Sequence, residues 1–278
     1  MNIIYFADIS RGLVAEAAAR FECFAKGKVE VLGNCFGSCD RQLCSRADIA
    51  VVLGGDGSII HAAHSLFGLG IPVAGINMGR LGFLAEFNMD GLEEHFGRIF
   101  AGDYVVEEKM MLDCEVITES GKILTDCALN DIAFNSGRPF SAIELEIEIN
   151  SNPMASCLGD GLVICSPTGS TAYNLSAGGP IMSKDVEAIG ITPLNPHTLT
   201  FRSVLVGPNC IIEIFPVRTN EGSAVIVDGR LLHDFSSVKS VRITRSAEKL
   251  KLIGNPCKTQ WDALAYKLKW AQKPHYKI

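Results

Sequence analysis

Several signals are missing from this 278-residue chain, and each absence narrows what it does. Positive charge is not in excess. The chain has 25 Lys and Arg against 31 Asp and Glu, so it carries no electrostatic footprint for nucleic acid. No block of five or more like charges occurs, which argues against a disordered charged tail. No Walker A pattern is present, because Gly27-Lys28 and Gly121-Lys122 are not followed by Ser or Thr. The ten cysteines contain no CxxC pair, and the cluster Cys35, Cys39 and Cys44 has no nearby histidine to complete a metal-ligand pattern. These thiols are expected to be free, as small buried hydrophobes and a few surface groups in a reducing compartment. The longest apolar stretch, Ile59 to Ile76, is broken by His61, His64, three glycines and Pro72. It reads as a buried helix followed by a strand rather than as a membrane span. Met1–Phe6 has no basic n-region, is too short for a signal peptide and reads as a first strand. The expectation is a cytoplasmic protein with no nucleic-acid partner and no membrane partner.

Hydrophobic residues make up 47% of the chain and charged residues 20%, enough apolar material for one large domain or two modest ones. Over residues 1–103 strand-like and helix-like segments alternate. Asn2–Phe6, Val29–Leu32, Ile49–Leu53 and Ile71–Asn77 read as strands; Leu13–Lys26, Ile59–Leu69 and Leu92–Phe100 read as helices. This alternation predicts an α/β N-terminal domain with a parallel sheet. Over 104–257 the texture is β-rich. Met111–Thr118, Lys122–Phe134, Val204–Val206, Cys210–Val217, Ser223–Val227 and Val238–Thr244 read as strands of an antiparallel sheet. Ile143–Ile149 alternates apolar residues with glutamates, which predicts one buried face and one wet acidic face, not a metal or acid–base cluster. The tail, about 258–278, carries a helical segment at Trp261–Trp270 expected to pack back on the first domain.

Two motifs carry chemistry. In Val51-Val52-Leu53-Gly54-Gly55-Asp56-Gly57-Ser58 a β-branched run stops in glycines and leads into a helix. The glycines allow close approach to the main chain, and amides at a helix start favour phosphate oxygens. Asp56 is out of place in a loop that only binds phosphate, because a carboxylate repels it. An acid there suits a base, or a partner for a cation or a sugar hydroxyl, and so points to phosphoryl transfer. An Asx turn is the bland alternative. The second motif runs from Gly159 to Pro180, where the strand Leu162–Cys165 feeds a loop dense in hydroxyls and small residues. Small residues let a planar ring lie against the backbone, and hydroxyls and amides read its edge. Physics alone makes this a polar ligand pocket.

These residues make the chain resemble the NAD kinase family. The resemblance rests on Gly54–Gly57 (GGDG), Asn77-Met78-Gly79-Arg80-Leu81-Gly82-Phe83-Leu84, and Asn130-Asp131 at the family's Asn-Glu pair. It continues through Asp160, the signature at Ser166–Pro180, Pro196-His197, Arg202 and Asp228-Gly229, in the expected order. Asp131 stands where the family has Glu, Ser58 where it has Thr, and Cys165-Ser166 where it has Ser-Thr. The resemblance implies transfer of the terminal phosphoryl group of ATP, with a divalent metal such as Mg²⁺, to the 2′-hydroxyl of the adenosine ribose of NAD. It implies Asp56 as catalytic base and Gly54, Gly55, Gly57 and Ser58 as the phosphate loop. Gly57 and His61 are also implied on the NAD-binding side, His61 as the basic residue the family often carries there. Asn130 and Asp131 would grip the ribose hydroxyls. Thr168, Thr171, Ala172, Tyr173, Asn174, Leu175 and Ser176 would hold the adenine and the nicotinamide half, with Asp160 on the nicotinamide amide or its ribose. A homo-oligomer, dimer or tetramer, is also implied. His61 and His64 lack a third ligand for a metal clamp. A lipid or sugar kinase sharing the glycine loop and a non-catalytic NAD(H) sensor are the competing readings. The long signature argues against the first and Asp56 against the second.

Overall fold

The structure, a computed structural model, describes residues 1–37, 40–79, 82–89, 92–139 and 141–270; Cys39, Arg80 and Leu81 of the motifs above lie outside them. The chain forms two compact units, Met1–Glu108 with Leu250–Ile278, and Lys109–Lys249.

The first unit opens with β1 (Asn2–Ala7), α1 (Gly12–Ala25), β2 (Glu30–Asn34), α2 (Arg41–Cys44), β3 (Ile49–Leu53), α3 (Asp56–Ser65), β4 (Val73–Asn77), β5 (Phe87–Asn88) and α4 (Leu92–Phe100). The strands pair in parallel in the order β2-β1-β3-β4-β5, with Phe6 beside Val52 and Val51 beside Ala74. Every residue of β3 and β4 is buried, the continuous apolar run expected of a parallel sheet covered on both faces. Helix α1 turns Val14, Ala17, Ala18, Phe21 and Ala25 inward at helical spacing. Phe21 meets the ring of Phe96 from α4 at 6.0 Å. Cys35 and Cys44 are buried with their Sγ atoms 3.7 Å apart, a thiol contact and not a disulfide.

The second unit contains β6 (Val105–Thr118, shared with the end of the first), β7 (Ile123–Ala128), β8 (Asp131–Asn135), β9 (Ile143–Ile149), β10 (Asn152–Gly159) and β11 (Gly161–Cys165). It continues with the short helix α5 (Tyr173–Ser176), then β12 (Ile189–Leu194), β13 (Val204–Val206), β14 (Ile212–Arg218), β15 (Ala224–Val227), β16 (Arg230–Asp234) and the start of β17 (Val238–Gly254). One antiparallel sheet has the order β13-β12-β11-β8-β15-β16, and β10-β9-β14-β17 form a second antiparallel array. Ile132, Phe134, Leu162 and Ile164 from the first array pack with Leu145, Ile147, Ile214 and Val241 from the second into one core. The last element is α6 (Gln260–Leu268), which belongs to the first unit. Its start is set by a capping box in which Thr259 and Asp262 satisfy each other's backbone amides. Among the described residues no helix is long and apolar enough to cross a membrane.

The structure departs from the sequence reading in two places that matter for the site. Lys122–Phe134 is not one strand. It breaks at Leu129–Asn130 into β7 and β8, which join different sheets, because the Asp228 carboxylate captures the amides of Leu129, Asn130 and Asp131 at 2.8, 2.8 and 3.1 Å. Helix α3 starts at Asp56 and not at Ile59, so the acid sits in its first turn.

The alternation in β9 is realised with Ile143, Leu145 and Ile147 buried and Glu146 exposed. Leu145→Ala is expected to cost roughly 2–5 kcal/mol, whereas Glu146→Ala stays within about 0.5 kcal/mol. Chemical denaturation of both variants checks this, and equal losses would contradict the assigned faces.

Candidate active site

The glycine loop lies at the end of β3. Gly54 donates its amide to the Ile76 carbonyl at 2.9 Å, tying the loop to β4. Gly55 is the N-cap of α3 in an extended conformation, with no side-chain hydrogen bond. The first amides of α3 therefore have no capping side chain, and they form the positive end of the helix dipole. Ser58 folds its hydroxyl back over Gly54, where a Cβ would sit 2.2 Å from the Ser58 Oγ.

Asp56 is the most heavily engaged group of this loop. Its Oδ1 accepts from the amides of Leu84 and Ala85 at 2.9 and 3.3 Å. Its Oδ2 accepts from the Phe83 amide at 2.9 Å and from the Lys267 Nζ at 3.2 Å. Gly82 is needed for this approach, since a Cβ there would lie 2.0 Å from the Asp56 Oδ1. Burial alone would raise the Asp56 pKa; the amides of Phe83 and Leu84, with the Lys267 ammonium, outweigh it and hold the carboxyl below its ordinary range. Asp56 is therefore an ionised, preoriented acceptor at neutral pH. One turn further along, the His61 ring packs against Phe36 and Phe6 with centroids 5.1 and 6.3 Å away.

The second motif builds a cradle in the other unit. Asp228 and Gly229 both have positive φ, 47° and 76°, and form the two-residue turn between β15 and β16. That turn aims the Asp228 carboxylate back at the β7–β8 break. Asp131, the first residue of β8, is 5% exposed and receives the Tyr173 amide. Burial, and then the neighbouring Asp228 charge, push its pKa up to about 7. Gly169 lies so close to the Asn130 backbone that a Cβ would stand 2.0 Å from that carbonyl oxygen.

Two cavities flank Tyr173. One, of about 360 Å³, is lined by Asn130, Asp131, Ala172, Tyr173 and Asp228 among others. The other, of about 400 Å³, is lined by Asp160, Tyr173, Ser176 and Asn195 among others. Asn135 lines both. Asn195 donates to the Asp160 Oδ2 at 2.8 Å. The structure thus brings Asn130, Asp131, Ala172 and Tyr173 to one cavity and Asp160, Tyr173 and Ser176 to the other. Thr168, Thr171, Asn174 and Leu175 line neither. Asn174 is fully buried; it donates to the carbonyls of Ser170 and Pro180 and accepts from the Thr192 hydroxyl. Ser166 and Ser170 likewise spend their hydroxyls on Leu129 and Pro167. Much of the polar signature therefore shapes the loop. Lys267 and Asn135 carried no signal in the sequence, and Asp228 was marked only by the Asp228-Gly229 match to the family, with no role attached.

Asp131 has a testable consequence. Its carboxyl binds a proton more tightly in the folded chain than in the unfolded one. That contribution to stability is full below a pH of about 4 and is lost as the pH rises through about 7. Asp131→Asn is expected to remove this slope and to gain roughly 1–4 kcal/mol over the unsubstituted chain between pH 5 and pH 8. Melting at both pH values measures it; parallel shifts in the two proteins would contradict the raised pKa.

Comparison with known proteins places both halves in one family. A model of the ATP-NAD kinase N-terminal domain matches residues 4–104, and a model of the C-terminal domain matches residues 129–254. The NAD kinase of Nitrosospira multiformis is 37% identical over 84% of this chain and 79% of its own length. That of Geobacter metallireducens is 37% identical over 82% and 80%. In fold, the chain is similar to yeast NADH kinase, solved with NADH, at a TM-score of 0.89 and 22% identity over 100% of this chain and 90% of the other. It is also similar to an NAD kinase from Archaeoglobus fulgidus, solved with ATP, at 0.80 and 24% over 97% and 99%. The chain belongs to the ATP-NAD kinase family.

Proposed function

We propose that this chain transfers the terminal phosphoryl group of ATP to the 2′-hydroxyl of the adenosine ribose of NAD, giving NADP, with Asp56 as the group that receives the hydroxyl. The observation that carries this reading is the Asp56 carboxylate in the first turn of α3, held by the amides of Phe83, Leu84 and Ala85 and by the Lys267 ammonium. A sugar hydroxyl is a poor nucleophile. A fixed carboxylate orients it toward the phosphorus and takes its proton as the new bond forms. Phosphoryl transfer proceeds through a loose transition state, so alignment matters more than the strength of the base. That suits a carboxyl held below its ordinary pKa.

The uncapped amides of α3 beside Gly54, Gly55, Gly57 and Ser58 suit the donor phosphates, and His61 stands on the same helix. Asn130, which offers both donor and acceptor, and Asp131, an acceptor when ionised and a donor when protonated, suit the ribose hydroxyls. Ala172 and Tyr173 present a small face and an aromatic ring to the bases, and Asp160 and Ser176 offer polar contacts beside them. Thr168, Thr171, Asn174 and Leu175 belong to the same dinucleotide pocket in this reading, with the Asn174 side chain bracing the loop that carries them. Mg²⁺ accompanying ATP would be carried by phosphate oxygens and water. It supplies charge neutralisation on the donor. A homo-oligomer, dimer or tetramer, belongs to this reading through the family resemblance. A cytoplasmic location belongs to the same reading.

Incubation with ATP, Mg²⁺ and NAD, followed by an NADP-specific dehydrogenase, tests the activity. Asp56→Asn is expected to lower kcat by about 10²–10⁴-fold while NAD binding changes little. Normal turnover by that variant would overturn the role of Asp56.

A further inference from the structure

The glycine loop contains an acid but no lysine or arginine: Gly54-Gly55-Asp56-Gly57-Ser58. Phosphate loops usually work the other way round, with a cation beside the anionic ligand. A carboxylate a few ångströms from a triphosphate is repelled, and in a half-shielded site that repulsion is far stronger than on an open surface. The fold answers this from 211 residues away. Helix α6 delivers the Lys267 ammonium to the Asp56 Oδ2 at 3.2 Å, and the side chains of the pair are each 26% exposed. The same ammonium stands 4.1 Å from the centroid of the Phe83 ring, whose backbone amide also donates to that carboxylate oxygen. Lys267 is thus held by an acid and by an aromatic face at once. The two family models match residues 4–104 and 129–254 and do not reach α6.

We propose that Lys267 is a positioning residue for the phosphoryl donor: it supplies from the C-terminal helix the counter-charge that lets a nucleoside triphosphate approach the Asp56 loop. The inference rests on the reading of this loop as the donor site. Paired with Lys267, Asp56 presents no net charge to the phosphates yet remains ionised toward a hydroxyl. Asp56 itself does not need the lysine for its orientation, because the amides of Phe83, Leu84 and Ala85 already hold both of its oxygens. The lysine's contribution is therefore expected in affinity for the anionic donor, not in affinity for the dinucleotide.

The experiment is a calorimetric titration of MgATP into the full chain and its Lys267→Met, Lys267→Arg, Asp56→Asn and Asp56→Asn/Lys267→Met variants, with NAD titrated in parallel. Lys267→Met is expected to weaken MgATP binding about tenfold and to leave NAD binding unchanged. Lys267→Arg keeps the charge and stays within about threefold of the parent. Asp56→Asn binds MgATP no more weakly than the parent, and the double variant recovers to within about threefold, because the uncompensated carboxylate is gone. Unchanged MgATP binding by Lys267→Met, or a double variant as weak as Lys267→Met, would overturn the inference. Should Lys267→Met fail to bind NAD for want of folding, Lys267→Gln gives the same comparison. Binding needs no turnover, so a failure of the Asp56 base assignment appears in the kinetics and leaves this cycle intact. If no variant and not even the parent binds MgATP, the donor-site reading itself fails.

Discussion

The first unit is organised around one carboxylate. Asp56 accepts four hydrogen bonds, and through them the start of α3, the 82–85 segment and α6 meet at a single point. A partly buried carboxylate is costly unless it is hydrogen-bonded, and here both of its oxygens are. The arrangement explains why Gly82 is a glycine and why the helix begins at the acid. It also settles the state of the group. Burial works against ionisation, but amide donors and an ammonium win, so the acid is poised to accept rather than to donate.

The second unit holds a carboxylate pair with a different balance. Asp228 is filled by three amides, as Asp56 is. Asp131 has one backbone donor and a like charge beside it, and its pKa rises to about 7.

Much of the fold was legible because it is written in local pattern. The unbroken apolar run Ile49–Leu53 is a buried parallel strand, and the alternation of Ile143–Ile149 is a strand with one wet face. The glycine loop and the signature at Ser166–Pro180 marked the site for the same reason. What escaped was set by side chains distant in sequence. The break between β7 and β8 is imposed by Asp228, 98 residues beyond Asn130. The partner of Asp56 comes from the tail, where nothing in Gln260–Leu268 advertises a role beyond a capped amphipathic helix. Nor does a run of hydroxyls tell which point outward. Ser166, Ser170 and Asn174 turn in to brace the loop, while Ala172, Tyr173 and Ser176 face the cavities.

The account stands on the meeting of Asp56 with a sugar hydroxyl. The most direct measurement is a crystal structure of the chain with NAD bound and a non-transferable ATP analogue. The adenosine 2′-oxygen is expected within hydrogen-bond distance of an Asp56 carboxylate oxygen. A dinucleotide seated elsewhere, or an adenosine ribose turned away from that carboxylate, would contradict it.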